Sequence, residues 1–146
     1  MSTTPSSDRL ASVFKDRGFA TLINLEHYAW FSLGGNLGEV VKTLARTRAA
    51  LSDIATGRLI CSKVYASEPW GLIDQPDFLN QVVGLRPKET LTRTLDLIRA
   101  FETEEGRERK IVWGPRNIDI DILLWPDQVL NEPDLVVPHP RLHERR

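Results

Sequence analysis

The sequence predicts an α+β domain of the ferredoxin-like plait type: a βαββαβ core in which an antiparallel sheet carries both helices on one face, with small extra strands after it. Three observations predict this class. Two segments place apolar residues at helical spacing, and short apolar runs at strand spacing surround them in the order strand, helix, strand, strand, helix, strand. A turn rich in glycine, Gly34-Gly35-Asn36-Leu37-Gly38, separates the first strand from the first helix. Residues 118–122 alternate Ile and Asp, the pattern of a sheet with one covered and one open face.

Each element has its own reason. Residues 28–33 read as a short buried strand that ends in the glycine turn, where positive φ is available. Val40, Val41, Leu44, Leu51, Ile54 and Ala55 follow at helical spacing, with Arg48 the one polar interruption and Gly57 the stop. Residues 58–67 read as a strand. Residues 68–77 hold Pro69, Gly71 and Pro76 and form a loop. Residues 78–85 are the next strand. Leu91, Leu95, Ile98 and Phe101 mark the second helix, which stops at Gly106. After the Ile/Asp strand come a turn at Pro126-Asp127-Gln128, a short strand at Val129-Leu130 and another over residues 135–137. Residues 1–27 are a separate extension. Its first eight residues are rich in Ser, Thr and Pro with almost nothing apolar to bury, and residues 10–25 suit a short helix broken at Gly18. The domain proper spans 28–146.

Length and charge narrow the function. A chain of 146 residues can bury a real core in one domain. The formal net charge of −1 gives no bulk attraction to nucleic acid or membrane, so neither is an expected partner. Cys61 is the only cysteine, so no internal disulfide can form, which suits a reducing cytoplasm; it lies in an apolar run and reads as a small buried hydrophobe. No apolar stretch has transmembrane length and no signal-peptide core stands near the start. Tyr65, Trp30 and Trp125 read as core.

The chemistry concentrates in residues 106–121. Arg107, Arg109, Lys110 and Arg116 crowd into ten residues, and Asp119 and Asp121 follow. On a strand those two carboxylates share a face, with Cα atoms roughly 6.5–7 Å apart, so both can reach a shared cluster of hard cations. Arginines for non-bridging oxygens and Mg²⁺ ligands beside them are what a polyphosphate requires. A half-buried strand with a solvated face, next to a plain basic loop, would show the same residues. The lead-in Trp113-Gly114-Pro115-Arg116 argues against that: Pro115 fixes its own φ and biases Gly114 away from helix, so Arg116 enters the strand from a stiffened turn.

Four blocks, in order, resemble the 6-hydroxymethyl-7,8-dihydropterin pyrophosphokinase family. They are Ser32-Leu33-Gly34-Gly35-Asn36-Leu37-Gly38; Asp74-Gln75-Pro76-Asp77-Phe78-Leu79-Asn80; Gly106-Arg107-Glu108-Arg109 with Trp113-Gly114-Pro115-Arg116-Asn117-Ile118-Asp119-Ile120-Asp121; and Val137-Pro138-His139-Pro140-Arg141. Gly35 departs from the family's usual serine. The resemblance implies transfer of the β,γ-diphosphate of ATP to a pterin alcohol, with AMP released. It implies Asp119 and Asp121 as ligands of two Mg²⁺ ions, Arg107 and Arg116 on the phosphates, and Arg109 and Trp113 on a loop that closes over the site. Lys110, Glu102, Ile122, Val136, His139 and Arg145 match positions around the nucleotide. For the pterin, Phe78 and Asn80 sit two apart and so share a face: a ring to stack on and an amide that both donates and accepts. Ser67, Glu68, Pro69 and Trp70, with Trp113, complete the pterin site.

In the family the arginine pair at the end runs into an aromatic residue that closes the pterin sandwich and a segment of about 20–40 more residues. This sequence ends at Arg146. The expectation is thus a domain without that segment, a monomer as in the family or one that associates through uncovered apolar surface. The alternative to the enzyme is a non-catalytic relative that binds nucleotide or a protein partner.

Overall fold

The computed structural model describes residues 25–106 and 114–144. Its elements are β1 (Ala29–Gly35), α1 (Val40–Asp53), β2 (Ala55–Cys61), β3 (Tyr65–Ser67), β4 (Phe78–Pro87), α2 (Leu91–Glu104), β5 (Asp119–Leu124), β6 (Leu130–Glu132) and β7 (Leu135–Val137), with single 3₁₀ turns at Leu25–His27 and Leu142–Glu144. The main sheet runs β2-β4-β1-β5, every pair antiparallel, and β3 extends the β4 ladder beyond β2. This is the plait expected from the element order. β6 and β7 form a separate two-stranded ribbon.

Period two decides which face is buried. Phe31, Leu33, Val83, Leu85, Ile120 and Ile122 point to the helices and meet Leu44 and Leu51 of α1 and Leu91 and Ile98 of α2 in one core. The residues between them, including Ser32, Gly34, Asn80, Val82, Asp119 and Asp121, point the other way. Thr90 caps α2, its side chain accepting from the Arg93 N–H, and Gly106 at φ 82° follows as the C′ residue that ends it.

Several expectations change. β1 does not turn at Gly34-Gly35 but carries both in the ladder, and the turn to α1 begins at Asn36. A Cβ on Gly35 would collide with the Asn117 carbonyl, so a glycine here lets two backbones meet. Gly57 is not the stop of α1. The helix ends at Asp53, Ala55 already opens β2, and Gly57, at φ 79°, lies where the β2–β4 register shifts. The strand expected over 58–67 is two strands. Between them the Ser62 hydroxyl accepts from the Val82 N–H at 2.9 Å and donates to the Lys63 carbonyl at 2.7 Å, side-chain bonds that interrupt the regular ladder. Cys61 is exposed rather than buried, at the end of the sheet's edge strand. Tyr65 is exposed on three-residue β3. Trp30 is only half buried: it lies across Gly84 on the open face beside Tyr28, ring centroids 6.1 Å apart. Val41, counted on the apolar face of α1, points outward. Val129 is exposed and precedes β6. Residues 1–24 lie outside the described residues, and with them most of the expected extension helix. No described helix is long and apolar enough to cross a membrane.

Candidate active site

The register brings the site together across three strands. Gly34 pairs with Asn80 on one side and with Asp119 on the other; Ser32 pairs with Val82 and Asp121. Asn80, Gly34 and Asp119 thus form one row on the open face, and with strands about 4.8 Å apart the outer two are about 10 Å apart. The middle position contributes no side chain of its own, because it is glycine. The Asn80 amide lies against it: a Cβ there would stand 3.0 Å from Asn80 Oδ1.

On the β4 side, Ser67 pairs with Phe78, and Asn80 Nδ2 donates to Ser67 Oγ at 2.7 Å. Phe78, Asn80 and Ser67 are therefore one cluster. Glu68, Pro69 and Trp70 follow in the loop after β3, where Trp70 is 62% exposed.

On the β5 side, Asp119 and Asp121 are half buried while Ile118, Ile120 and Ile122 are buried, the alternation expected of this strand. Arg116 Nη1 donates to Asp119 Oδ2 at 2.6 Å, and its guanidinium carbon stands 5.8 Å from the centroid of the Phe78 ring. One cation thus bridges the aromatic and the acidic halves.

Its turn is held by Asn36, a residue assigned no role from sequence. Asn36 Oδ1 accepts from the Arg116 N–H at 3.0 Å, and the Asn36 and Leu37 N–H groups both donate to the Arg116 carbonyl. Asn36 Nδ2 donates to Gln75 Oε1 at 3.0 Å and to the Pro76 carbonyl at 2.8 Å. At 5% exposure, this one amide locks the arginine turn to the loop that precedes Phe78. The signal was in the sequence: Asn36 and Gln75-Pro76 stood in two matching blocks. Only the fold shows that the blocks touch. Asn117 Nδ2 ties the same turn to the end of α2 through the Glu105 carbonyl at 2.7 Å.

A pocket of about 290 Å³ opens at the edge of the sheet beside β5. It brings Glu102, Ile122, Val136 and His139 to Asp119 and Asp121, all six of them residues singled out from sequence, and adds Leu95 and Arg99 from α2 and residues 133–135 from the β6–β7 ribbon. Glu102 is 3% exposed. His139 is held by its backbone N–H on the Leu123 carbonyl, while its Nδ1 accepts from the Arg141 N–H, which leaves the proton of the neutral ring on Nε2. Arg107, Arg109, Lys110, Trp113 and Arg145 lie outside the described residues.

A metal fits this donor set in one way. Among the described residues no three His, Cys, Asp or Glu side chains gather as a cage. Two carboxylates on one face suit Mg²⁺, which keeps water and takes one or two protein carboxylates, with substrate phosphates as the remaining ligands.

Near the site, Arg46 grips Glu105 with two hydrogen bonds, Nε to Oε1 at 2.9 Å and Nη2 to Oε2 at 2.7 Å. The bonds hold the Glu105 carboxyl below its ordinary range and the guanidinium above its own.

Known proteins are similar to this chain. Residues 30–146 match the profile of the family described as 7,8-dihydro-6-hydroxymethylpterin-pyrophosphokinase (HPPK). The chain is 38% identical over 117 residues to the 2-amino-4-hydroxy-6-hydroxymethyldihydropteridine pyrophosphokinase of Pseudomonas aeruginosa, covering 80% of this chain and 72% of that protein. It is 35% identical over 122 residues to the Bacillus subtilis protein of the same name, covering 83% and 73%. With that of Pseudomonas putida it shares 36% over 115 residues, covering 79% of this chain and 96% of the relative. The carboxylates, the clamped arginine turn and the aromatic cluster all fall within residues 30–146, and the chain belongs to the 7,8-dihydro-6-hydroxymethylpterin-pyrophosphokinase family, whose members are diphosphotransferases.

Proposed function

We propose that this chain transfers the β,γ-diphosphate of ATP to the hydroxyl of 6-hydroxymethyl-7,8-dihydropterin, a step of folate biosynthesis. The hydroxyl oxygen bonds to the β-phosphorus, the bond between that phosphorus and the α–β bridging oxygen breaks, AMP leaves with that oxygen, and the hydroxyl proton passes to solvent. The observation that carries this reading is the Asn80–Gly34–Asp119 row: a place for a flat heteroaromatic ring and a place for a polyphosphate on one open surface, with a glycine at the middle strand position and the Arg116 guanidinium reaching across.

Phe78 offers its ring for stacking, and Asn80, steered by Ser67, meets the donors and acceptors of the pterin edge. Asp119 and Asp121 would hold Mg²⁺, two ions with ATP as co-substrate, which supplies charge neutralisation for the triphosphate. Arg116 stands between the two halves and can trade its carboxylate partner for a phosphate oxygen. The pocket of Glu102, Ile122, Val136 and His139 would take the nucleoside. Arg107, Arg109, Lys110, Trp113 and Arg145 are proposed to complete the nucleotide and pterin contacts, and the proposed partners are these small molecules, in the cytoplasm.

The test is AMP release from ATP with Mg²⁺, measured with and without the pterin alcohol. AMP formed only when both substrates are present is the expected result. Nucleotide binding by the folded protein with no AMP release would point instead to a non-catalytic relative.

A further inference from the structure

The nucleotide pocket contains a cation that the reaction as described does not use. Leu95, Arg99 and Glu102 stand at i, i+4 and i+7 on α2 and so share the helix face that lines it. Glu102 is buried, whereas Arg99 is exposed at the mouth. The other well-placed arginines are engaged: Arg46 with Glu105, Arg48 with Gln81, Arg116 with Asp119. Among the described residues the Arg99 guanidinium has no such partner; the Arg99 backbone carbonyl accepts from Thr103 Oγ1.

Its position along the helix says which part of a nucleotide it meets. The C-terminal end of α2 is tied to the turn before β5 through Asn117 and Glu105, so that end lies toward the Asp119–Asp121 pair. Arg99 is three residues earlier than Glu102, about 4.5 Å farther back along the axis. It is therefore set away from the triphosphate end and beside the apolar stretch of the pocket, where Leu95, Ile122, Leu135 and Pro140 form the walls. Among the described residues no Phe, Tyr or Trp lines that stretch. From the described residues, a purine there has aliphatic walls and no aromatic partner. The flat groups at hand are His139, whose Nδ1 is committed to Arg141, and the Arg99 guanidinium.

Resting on the reading of the pocket as the nucleoside site, we propose that Arg99 folds over the mouth and stacks its guanidinium plane on the purine base, acting as the nucleoside clamp of this chain. A stack reads the face of a base and not its edge, so the clamp serves adenine and guanine nucleotides alike. It acts on binding and leaves the chemical step alone.

The experiment titrates α,β-methylene-ATP and α,β-methylene-GTP with Mg²⁺ into wild type, Arg99→Ala and Arg99→Lys, with pterin alcohol titrated separately and kcat measured at saturation. Arg99→Ala should weaken both nucleotides about 3- to 30-fold. Arg99→Lys, which keeps the charge and loses the plane, should stay weak. Pterin affinity, kcat and melting temperature should hold, since Arg99 is exposed and bonds to no described side chain. Unchanged nucleotide affinity in Arg99→Ala overturns the clamp, and so does full recovery by lysine or a loss confined to ATP. A wild-type protein that binds neither analogue brings down the reading of the pocket as a whole, a result separate from the behaviour of the variants.

Discussion

Asp119 and Asp121 show how much one side chain can carry. Each projects from a strand whose neighbouring isoleucines are locked in the core, so removing a carboxylate alters charge without releasing the strand. Asp121→Asn is expected to lower the rate of AMP formation by about a thousand-fold, roughly 4 kcal/mol in the transition state, with the melting temperature nearly unchanged. An active Asp121→Asn protein would remove the metal assignment. Thr94 poses the opposite case. Its side chain is fully buried on α2, and its hydroxyl has no hydrogen-bond partner among the described residues. A buried hydroxyl left unpaired costs free energy that an isosteric methyl does not. Thr94→Val should therefore stabilise the fold by about 1 kcal/mol, read as a higher urea midpoint with an unchanged slope.

At the scale of elements, the proposed active site depends on a junction. β1 delivers Asn36 to the point where the 75–76 loop and the Arg116 turn meet, and the amide orientation is forced, since one neighbour is an N–H and another a carbonyl. Asn36→Ala would leave both unpaired and is expected to cost about 2–4 kcal/mol of stability and at least about tenfold in kcat/KM for each substrate. Asn36→Asp keeps the acceptor for Arg116 and loses the donor toward Gln75 and Pro76. Its loss should fall more heavily on pterin affinity than on nucleotide affinity, which separate titrations would show. The Arg46–Glu105 pair joins α1 to the end of α2. Because the fold lowers the carboxyl's pKa, its contribution is complete above the ordinary carboxylate value and is lost as pH falls through the lowered one. The gap in melting temperature between wild type and Arg46→Gln should be open at pH 7 and close as pH falls through the lowered carboxyl value, below the ordinary glutamate range. A constant gap across that range would mean that the pair is not what Arg46 contributes.

For the whole molecule, the sheet's two faces differ: helices and core lie on one side, and the proposed binding surface lies on the other and along the β5 edge. Binding to the folded state alone stabilises it by mass action. Mg²⁺ with α,β-methylene-ATP at about 100 times its Kd should add about 2.7 kcal/mol, on the order of 6–10 °C in Tm for a domain of this size. EDTA should abolish most of that gain, because the triphosphate charge would then face the two aspartates uncompensated. A gain that survives chelation would show that arginines alone carry the nucleotide.

Much of this was legible in the residues. Period-two alternation placed Asp119 and Asp121 on one face, helical spacing marked both helices, and Gly106 stopped the second, because these patterns depend only on local geometry. Spacing also put Phe78 and Asn80 together, two positions apart on one strand. The misreadings share a cause. Cys61 and Tyr65 looked like core because an apolar run is silent about whether its strand lies at the centre or the edge of a sheet. Gly57 looked like a helix stop because a positive φ serves a bulge equally well. What the tertiary structure alone decided is register and adjacency: that Gly34 stands between Asn80 and Asp119, that Asn36 reaches 80 residues along the chain to Arg116, and that Arg99 shares a pocket with the carboxylates. Those relations arise from strand pairing and packing across long sequence separations, and no local pattern in the chain encodes them.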